Sequence, residues 1–269
     1  MHAPRSNPII EPELLMLAYR SGIFPMSDAR DDPEIFWIEP RLRATLPLDG
    51  LRVSSSLART LKRGRFEVTC NRAFSQVMDE CAAPRQARDG DANDDGGDSW
   101  ISHRIQASYE NLHFLGHAHS IEVWRDGELV GGLYGVGFDR VFCGESMFSR
   151  VSDSSKVALC WLVAALRRGG ITLLDCQFMT SHLASLGAVE MPQKKYLSLL
   201  QAAQSGYCST AGSSTGSGSA AVGEALGDAA GAGVLSLPEA FEALLGDASS
   251  CGLASSPGKL IAQLLTQTS

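Results

Sequence analysis

Apolar positions in this chain come in short clusters that read first as helices and then as alternating strands. Pro12 stands in the first turn of a predicted helix running to about Arg20, with Leu14, Leu15, Leu17 and Ala18 as its apolar face and Gly22 as its stop. Gly22-Ile23-Phe24-Pro25 then turns into irregular chain, and Ile35-Phe36-Trp37 forms an aromatic cluster before Pro40. Ser54 is the expected N-cap of a second helix carrying Leu57 and Leu61, stopped by Gly64. Phe66 to Thr69 reads as a strand and Ala73 to Cys81 as a helix. The stretch Pro84 to Asp98 has no large apolar residue and reads as a surface loop. Beyond it, Ile101, Ile105, Tyr109 and Leu112 recur at helical spacing up to Gly116.

The middle of the chain changes period. His119 to Trp124 and Leu129 to Val136 read as strands joined by Arg125-Asp126-Gly127-Glu128, where Asp-Gly supplies the positive φ angles of a tight hairpin turn. A third antiparallel strand follows from Val141 to about Met147. Ser154 to Arg168 is a nearly all-apolar helix, Gly169-Gly170 stops it, and Ile171 to Gln177 is a buried strand. Ser181 to Leu186 reads as a short helix, and Pro192 starts a last one with Tyr196, Leu197 and Leu200 facing inward. From Ser205 the composition shifts: Thr210 to Ala221 is a Ser/Gly/Ala low-complexity run, and Leu235 to Leu245 and Leu260 to Leu265 are short helices in an expected appendage. Three antiparallel strands, a crossover helix and a further strand give an α+β fold with a mixed sheet and flanking helices. The expected division is a small N-terminal domain over residues 1–55, a catalytic domain over 56–204 and a tail over 205–269.

Composition narrows this only a little. The chain has 269 residues, of which 44% are hydrophobic, enough for a sizeable core. No run approaches the roughly 20 apolar residues of a membrane span. The N-terminus MHAPRSNPIIEPE has no apolar segment of the secretory kind, so a cytoplasmic protein without a membrane partner is expected. Seven scattered cysteines without a C-x-x-C fit reduced core thiols. The net charge of -7 argues against a nucleic-acid partner, but its distribution argues the other way. Arg41, Arg43, Arg52, Arg59, Lys62, Arg63, Arg65 and Arg72 lie in one stretch against only Asp49 and Glu67, which is either a phosphate-binding surface or a solvated helix face.

The chemistry concentrates in Val141 to Arg150, VFCGESMFSR, and in Asp175-Cys176-Gln177, acids at the ends of two strands flanking one helix. Ligands favour such strand ends in open α/β sheets. Four simpler readings weaken on inspection. His113, His117 and His119 fail as a metal trio because Gly116 breaks their helical alignment. Ser146 fails as a nucleophile elbow because Phe148 fills the last glycine position of G-x-S-x-G. Cys143 and Cys176 lie in apolar strands, where a thiol stays protonated. An acetyl-coenzyme A acyltransferase would need a glycine-rich turn opening the crossover helix, and Ser149 to Lys156 has no glycine and carries Asp153. The sheet suits acyl transfer; the donor must be something else.

Leu14 to Pro25, Trp100-Ile101, GHAHSIEVW at Gly116 to Trp124, FCGESMFS at Phe142 to Ser149, and Asp175-Cys176-Gln177 with Ala184 to Gly187 resemble, in the same order, bacterial leucyl/phenylalanyl-tRNA–protein transferases. The resemblance spans about Leu14 to Leu200. It implies an enzyme that moves leucine or phenylalanine, with methionine as a further donor residue, from aminoacyl-tRNA onto an N-terminal Arg or Lys of a protein, marking that protein for degradation. It implies an acetyltransferase-like (GNAT-like) fold, no cofactor and no metal, and a monomer.

By position, the resemblance makes Asp175 and Gln177 the catalytic pair. An α-amino group has a pKa of roughly 7.7–8.0, so part of it is neutral nucleophile at pH 7. The Gln177 carbonyl would accept a hydrogen bond from that amine while Asp175 orients Gln177. Glu145 would hold the α-ammonium or the basic side chain of the acceptor. Phe142, Met147 and Leu133 would line the aminoacyl pocket, with Thr180 nearby where relatives carry Asn, and Leu133 where they carry Met. Trp37 and Trp100 would meet the terminal adenosine of the tRNA, although Ile38 replaces a second Trp beside Trp37. Arg59, Lys62, Arg63 and Arg65 would hold the acceptor stem through phosphates. Another acyltransferase of the same fold, or a non-enzymatic binder of tRNA or degrons, are the competing readings; the intact Asp175, Gln177 and Glu145 favour an enzyme.

Overall fold

The computed structural model describes residues 9–83, 99–205 and 234–266. The expected loop over 84–98, the low-complexity run over 210–221 and Cys208 lie outside them.

Helix α1 (Pro12–Arg20) starts at its proline as expected, but it buries Leu15, Met16, Ala18 and Tyr19 and leaves Leu14 and Leu17 exposed. The apolar face was placed about a third of a turn off, because Met16 and Tyr19 outcompete two leucines for the interior. The chain after Gly22, expected to be irregular, forms β1 (Phe24–Met26) paired antiparallel with β2 (Phe36–Ile38). Then come β3 (Leu42–Thr45), α2 (Ser55–Arg63), β4 (Glu67–Cys70), α3 (Phe74–Ala82) and α4 (His103–Phe114). Helix α2 begins and ends where its caps predict: the Ser54 hydroxyl accepts from Leu57 N–H, and Gly64 takes φ +61°.

Strands β5 (Ala118–Arg125), β6 (Glu128–Phe138) and β7 (Val141–Ser149) form an antiparallel meander. Asp126 and Gly127 both have positive φ, the hairpin geometry their pairing predicted. Helix α5 (Ser154–Arg168) crosses over to β8 (Leu173–Asp175), which pairs parallel with β7. Helix α6 (Ser181–Ser185), β9 (Val189–Pro192), α7 (Gln193–Ser205), α8 (Leu237–Ser250) and α9 (Gly258–Thr266) complete the described chain. Pro192 thus closes a strand instead of opening a helix.

The main sheet has seven strands in the order β4-β5-β6-β7-β8-β3-β9, antiparallel except for β7–β8. It is a mixed sheet in an α+β fold, with helices on both faces. Alternation along the strands divides the core accordingly. Leu133, Phe142 and Leu174 pack with α2, α5, α8 and α9, while Tyr134, Cys143 and Leu173 pack with α1, α3, α4 and α7. Two features bear on domain organisation. Strand β3 lies within the first 55 residues yet is an inner strand of the main sheet. Helices α8 and α9 are no appendage: Leu237, Phe241, Leu244, Ile261 and Leu265 are buried in the core around α5, and Phe241 packs on Trp161 with ring centroids 5.2 Å apart. Ile261→Val should therefore cost about 0.5–1.5 kcal/mol in urea unfolding; an unchanged midpoint would mean that α9 is dispensable to the core.

Candidate active site

The site grows out of a register fault. Gly135 on β6 pairs with Gly144 on β7, but the next residue, Tyr134, pairs with Ser146, so Glu145 is an extra residue with no partner in the ladder. A bulge of this kind re-aims side chains and reverses their parity. Before it, Val141 and Cys143 face the α1/α4 side; after it, Met147 packs on the α5 side. Gly135 makes the close approach feasible: a Cβ there would stand 2.2 Å from the Cys143 carbonyl oxygen and 2.5 Å from the Phe142 ring.

Beyond the Cys143–Asp175 pair, the recorded pairing of β7 and β8 ends. β7 runs on to Glu145, while the chain after Asp175 turns through Gln177 at φ +54°, a left-handed conformation costly for a side-chain-bearing residue. That turn is pinned from two sides. Gln177 N–H donates to Asp175 Oδ1 (3.0 Å), and the Gln177 carbonyl accepts from Ala44 N–H (2.9 Å). It places Gln177 Nε2 2.8 Å from Glu145 Oε1. The two predicted motifs, 32 residues apart, meet at this hydrogen bond.

Asp175 itself is fully buried. Arg43 grips it with two hydrogen bonds, Nε to Oδ1 at 2.9 Å and Nη2 to Oδ2 at 2.6 Å, and Tyr196 Oη donates to Oδ2 at 3.0 Å. Arg43 lies between the rings of Phe24 and Tyr196, its guanidinium carbon 4.7 and 4.5 Å from their centroids, and its Nη1 donates to the Gly22 carbonyl at 3.0 Å. Burial alone would depress the guanidinium pKa; Asp175 more than reverses this and raises it. The arginine counted with the basic surface is thus one of the most buried side chains in the protein. Its signal in the sequence was a single charge inside the apolar run Leu42 to Leu46, which solvation of a surface strand explains equally well.

Glu145 is half-buried. Burial pushes its carboxyl pKa up to about 8, hydrogen bonding from Tyr19 opposes this, Asp175 adds to the rise, and Arg43 and Tyr109 oppose it. Tyr109 Oη is 3.3 Å from Glu145 Oε2, and the Tyr19 and Tyr109 hydroxyls are hydrogen-bonded to each other. Tyr109 and Tyr134 stack edge to face, with centroids 5.6 Å apart. Tyr19, Tyr196 and Arg43 were not foreseen as site residues, although both tyrosines fall on helical stretches the sequence marked.

The remaining expected residues distribute unevenly. Leu133 and Phe142 are core residues, 2% and 1% exposed, with Met147 half-buried against the same core and directly paired with Leu133. The Thr180 hydroxyl accepts from Leu183 N–H and serves as the N-cap of α6. Trp37, 41% exposed, pairs with Pro25 on β1, and the Trp100 carbonyl accepts from Ser27 N–H just past that strand, so both tryptophans gather around the small sheet. Phe178, next to Gln177, is exposed and touches Phe24 edge to face. Arg59, Lys62, Arg63 and Arg65 are all exposed on or just beyond α2, as a phosphate surface requires.

The other candidates find structural roles. His113 stacks on Phe74 at 4.2 Å and hydrogen-bonds the Ala118 carbonyl through Nδ1. His119 Nδ1 faces Asn71 Nδ2 at 3.0 Å, and burial holds its pKa down at about 4. Glu122, the acid of GHAHSIEVW, is fully buried among Thr69, Ser120 and the backbone N–H groups of Arg72 and Ala73, at the entrance to α3. Burial pushes both the Cys143 and Cys176 thiols up, away from reactive thiolate.

Comparison with known proteins identifies the family. The family model described as leucyl/phenylalanyl-tRNA protein transferase matches residues 45–201, and that of the corresponding N-terminal domain matches residues 9–41. A leucyl/phenylalanyl-tRNA–protein transferase of Novosphingobium aromaticivorans is 59% identical over 97% of each chain. Those of Rhodopseudomonas palustris and Zymomonas mobilis are 54% and 53% identical, covering 75% and 74% of this chain and 86% and 71% of their own. With both motifs inside the matched span and joined in one hydrogen-bonded site, the chain belongs to the leucyl/phenylalanyl-tRNA–protein transferase family of aminoacyltransferases.

Proposed function

We propose that this protein takes leucine, phenylalanine or methionine from aminoacyl-tRNA and joins it to the N-terminal Arg or Lys of acceptor proteins in the cytoplasm, creating a signal for their degradation. The observation that carries the proposal is the Gln177–Glu145 contact of 2.8 Å where β7 and β8 part. It puts an amide and a carboxylate side by side at the mouth of a sheet, where an ester and an amine can be aligned. The order β5-β6-β7-α5-β8 is read as an acetyltransferase-like core. Since β3 belongs to the main sheet, the small N-terminal unit is best taken to end near residue 41, with α8 and α9 part of the catalytic body.

Gln177 presents its amide to the substrates, and Asp175 acts through it as a positioning residue. Trp37 and Trp100 stack on the terminal adenosine. Met147, with Phe142 and Leu133 behind it, receives the aminoacyl side chain once these core residues shift to admit it; Met suits such an adaptable wall. Thr180 shapes the loop between Gln177 and α6. Arg59, Lys62, Arg63 and Arg65 hold the acceptor-stem phosphates. The protein acts as a monomer.

The test uses purified full-length chain, labelled Leu-tRNA or Phe-tRNA, and peptides differing only in their first residue. Label should enter peptides beginning with Arg or Lys and no others; equal labelling of all peptides would defeat the assignment. Phosphate contact makes a second expectation. Four contacts give a log–log salt slope of about -3 to -4, and hence a loss of tRNA affinity of about 10²-fold between 50 and 200 mM salt. Replacing all four basic residues by Gln should flatten that slope by about three; an unchanged slope would put the tRNA on another face.

A further inference from the structure

The two carboxylates of the site differ in what they still have free. An ionised carboxylate has about four lone-pair positions. Asp175 has all of them occupied, by Arg43 Nε, Arg43 Nη2, Tyr196 Oη and Gln177 N–H, and none of its surface is open. No amine can approach it. Glu145 accepts from Gln177 Nε2 on one oxygen and from Tyr109 on the other, Tyr19 also hydrogen-bonds it, and the residue is only partly buried. Gln177 donates through its side-chain NH₂, as an ionised Glu145, which only accepts, requires. This leaves the Gln177 side-chain Oε1, on the same amide, to hold an amine N–H next to Glu145.

Building on the aminoacyl-transfer reading above, we infer that Glu145 is the proton carrier of the reaction: it takes the proton from the attacking α-amine and returns one to the departing ribose oxygen. The nitrogen lone pair attacks the ester carbonyl carbon, and the C–N bond forms as the C–O bond to the ribose breaks. One proton leaves the nitrogen for a Glu145 oxygen, and the ribose oxygen leaves as a hydroxyl protonated from Glu145. The enzyme ends in its starting protonation state, with no other reactant needed.

The surroundings tune this group for the task. Tyr19 faces it from α1, Arg43 from β3, Tyr109 from α4, Tyr134 from β6, Cys143 from β7, and Asp175 and Gln177 from β8 and the turn after it. Burial, the leading influence, and Asp175 raise the carboxyl pKa; Tyr19, Arg43 and Tyr109 restrain it, and the balance falls at about 8. A carboxyl in that range is basic enough to take a proton from the nitrogen as it attacks and acidic enough to return one to the ribose oxygen. A group mostly protonated at neutral pH is also a weak anchor for a cationic acceptor.

The test is Glu145→Gln, measured at saturating acceptor peptide from pH 5.5 to 9, with Phe-tRNA binding as the check on folding. In the wild type, both Glu145 and the amine must be deprotonated, so log kcat should rise with slope two at low pH. The variant should lose about 10²–10³-fold in kcat, rise with slope one, and keep KM for Arg and Lys peptides within about threefold. A retained kcat with KM raised tenfold or more would show an acceptor anchor instead and overturn the inference. Tyr109→Phe is a second, gentler variant. It removes a donor to the ionised form and should move the low-pH limb to higher pH; an unmoved limb overturns the inference as well. If the wild type transfers from neither tRNA, the parent reading falls; if it transfers and Glu145→Gln matches it, only this inference falls.

Discussion

Arg43→Ala lowers the stability of the protein by about 3–5 kcal/mol, because it strands the Asp175 carboxylate, with no exposed surface, without its cation. For a chain of this length that is a fall in Tm of roughly 10 °C. Added salt should not mask the loss, since the pair is shielded from solvent and hardly screened. Arg43→Lys keeps the charge but loses the two-pronged grip, the bond to the Gly22 carbonyl and the stacking on Phe24 and Tyr196, and should fall between Ala and wild type. Replacing the pair together, Arg43→Met with Asp175→Leu, should recover much of the stability, as for other buried ion pairs exchanged for apolar groups. Thermal and urea unfolding of the four proteins decide it. An Arg43→Ala protein within 1 kcal/mol of wild type would mean that water or a shifted side chain compensates Asp175, and that Gln177 is not held as described.

Gln177→Gly should move stability and activity in opposite directions. The residue adopts φ +54°, which costs a residue with a Cβ about 1 kcal/mol or more and glycine little. Its backbone bonds to Asp175 and Ala44 do not need the side chain. The variant should unfold at the same or slightly higher urea concentration. Transfer should nevertheless fall about 10²–10³-fold, because the amide that aligns the amine beside Glu145 is gone. Gln177→Ala keeps the strained backbone and loses the same amide, so it should be as inactive without the gain in stability. Measuring both variants separates chemistry from conformation. A Gln177→Gly protein that transfers at the wild-type rate would remove the amide from the mechanism.

Much of this was legible beforehand because local rules and burial agree. The Ser54 and Gly64 caps, the Asp126-Gly127 turn and the continuous apolar run of α5 each specify an element without outside help. The motifs at Glu145 and at Asp175 to Gln177 were both visible as acids expected at strand ends; Asp175 does end β8, but Glu145 stands mid-strand in β7. Their partnership was not, because it depends on a bulge that shifts β7 by one residue, and a bulge leaves no mark in hydrophobic periodicity. Arg43 was misplaced for a related reason. A charge in a four-residue strand looks exposed until the strand is known to lie between two others. The helices α8 and α9 were underrated because the low-complexity run before them suggested a tail, whereas the apolar flank of α5 packs against both of them.

The lone parallel neighbour pair in the sheet also bears on how the enzyme comes into being. Antiparallel hairpins such as β5–β6 need only a short loop to close, whereas β7 and β8 cannot join until the whole of α5 has been traversed. Glu145 belongs to the first of these strands and Gln177 to the turn after the second, and the strap from Arg43 reaches in from β3, earlier in the chain still. Catalytic competence is therefore among the last properties this polypeptide acquires. On refolding from urea, recovered transfer should lag behind recovered helical signal.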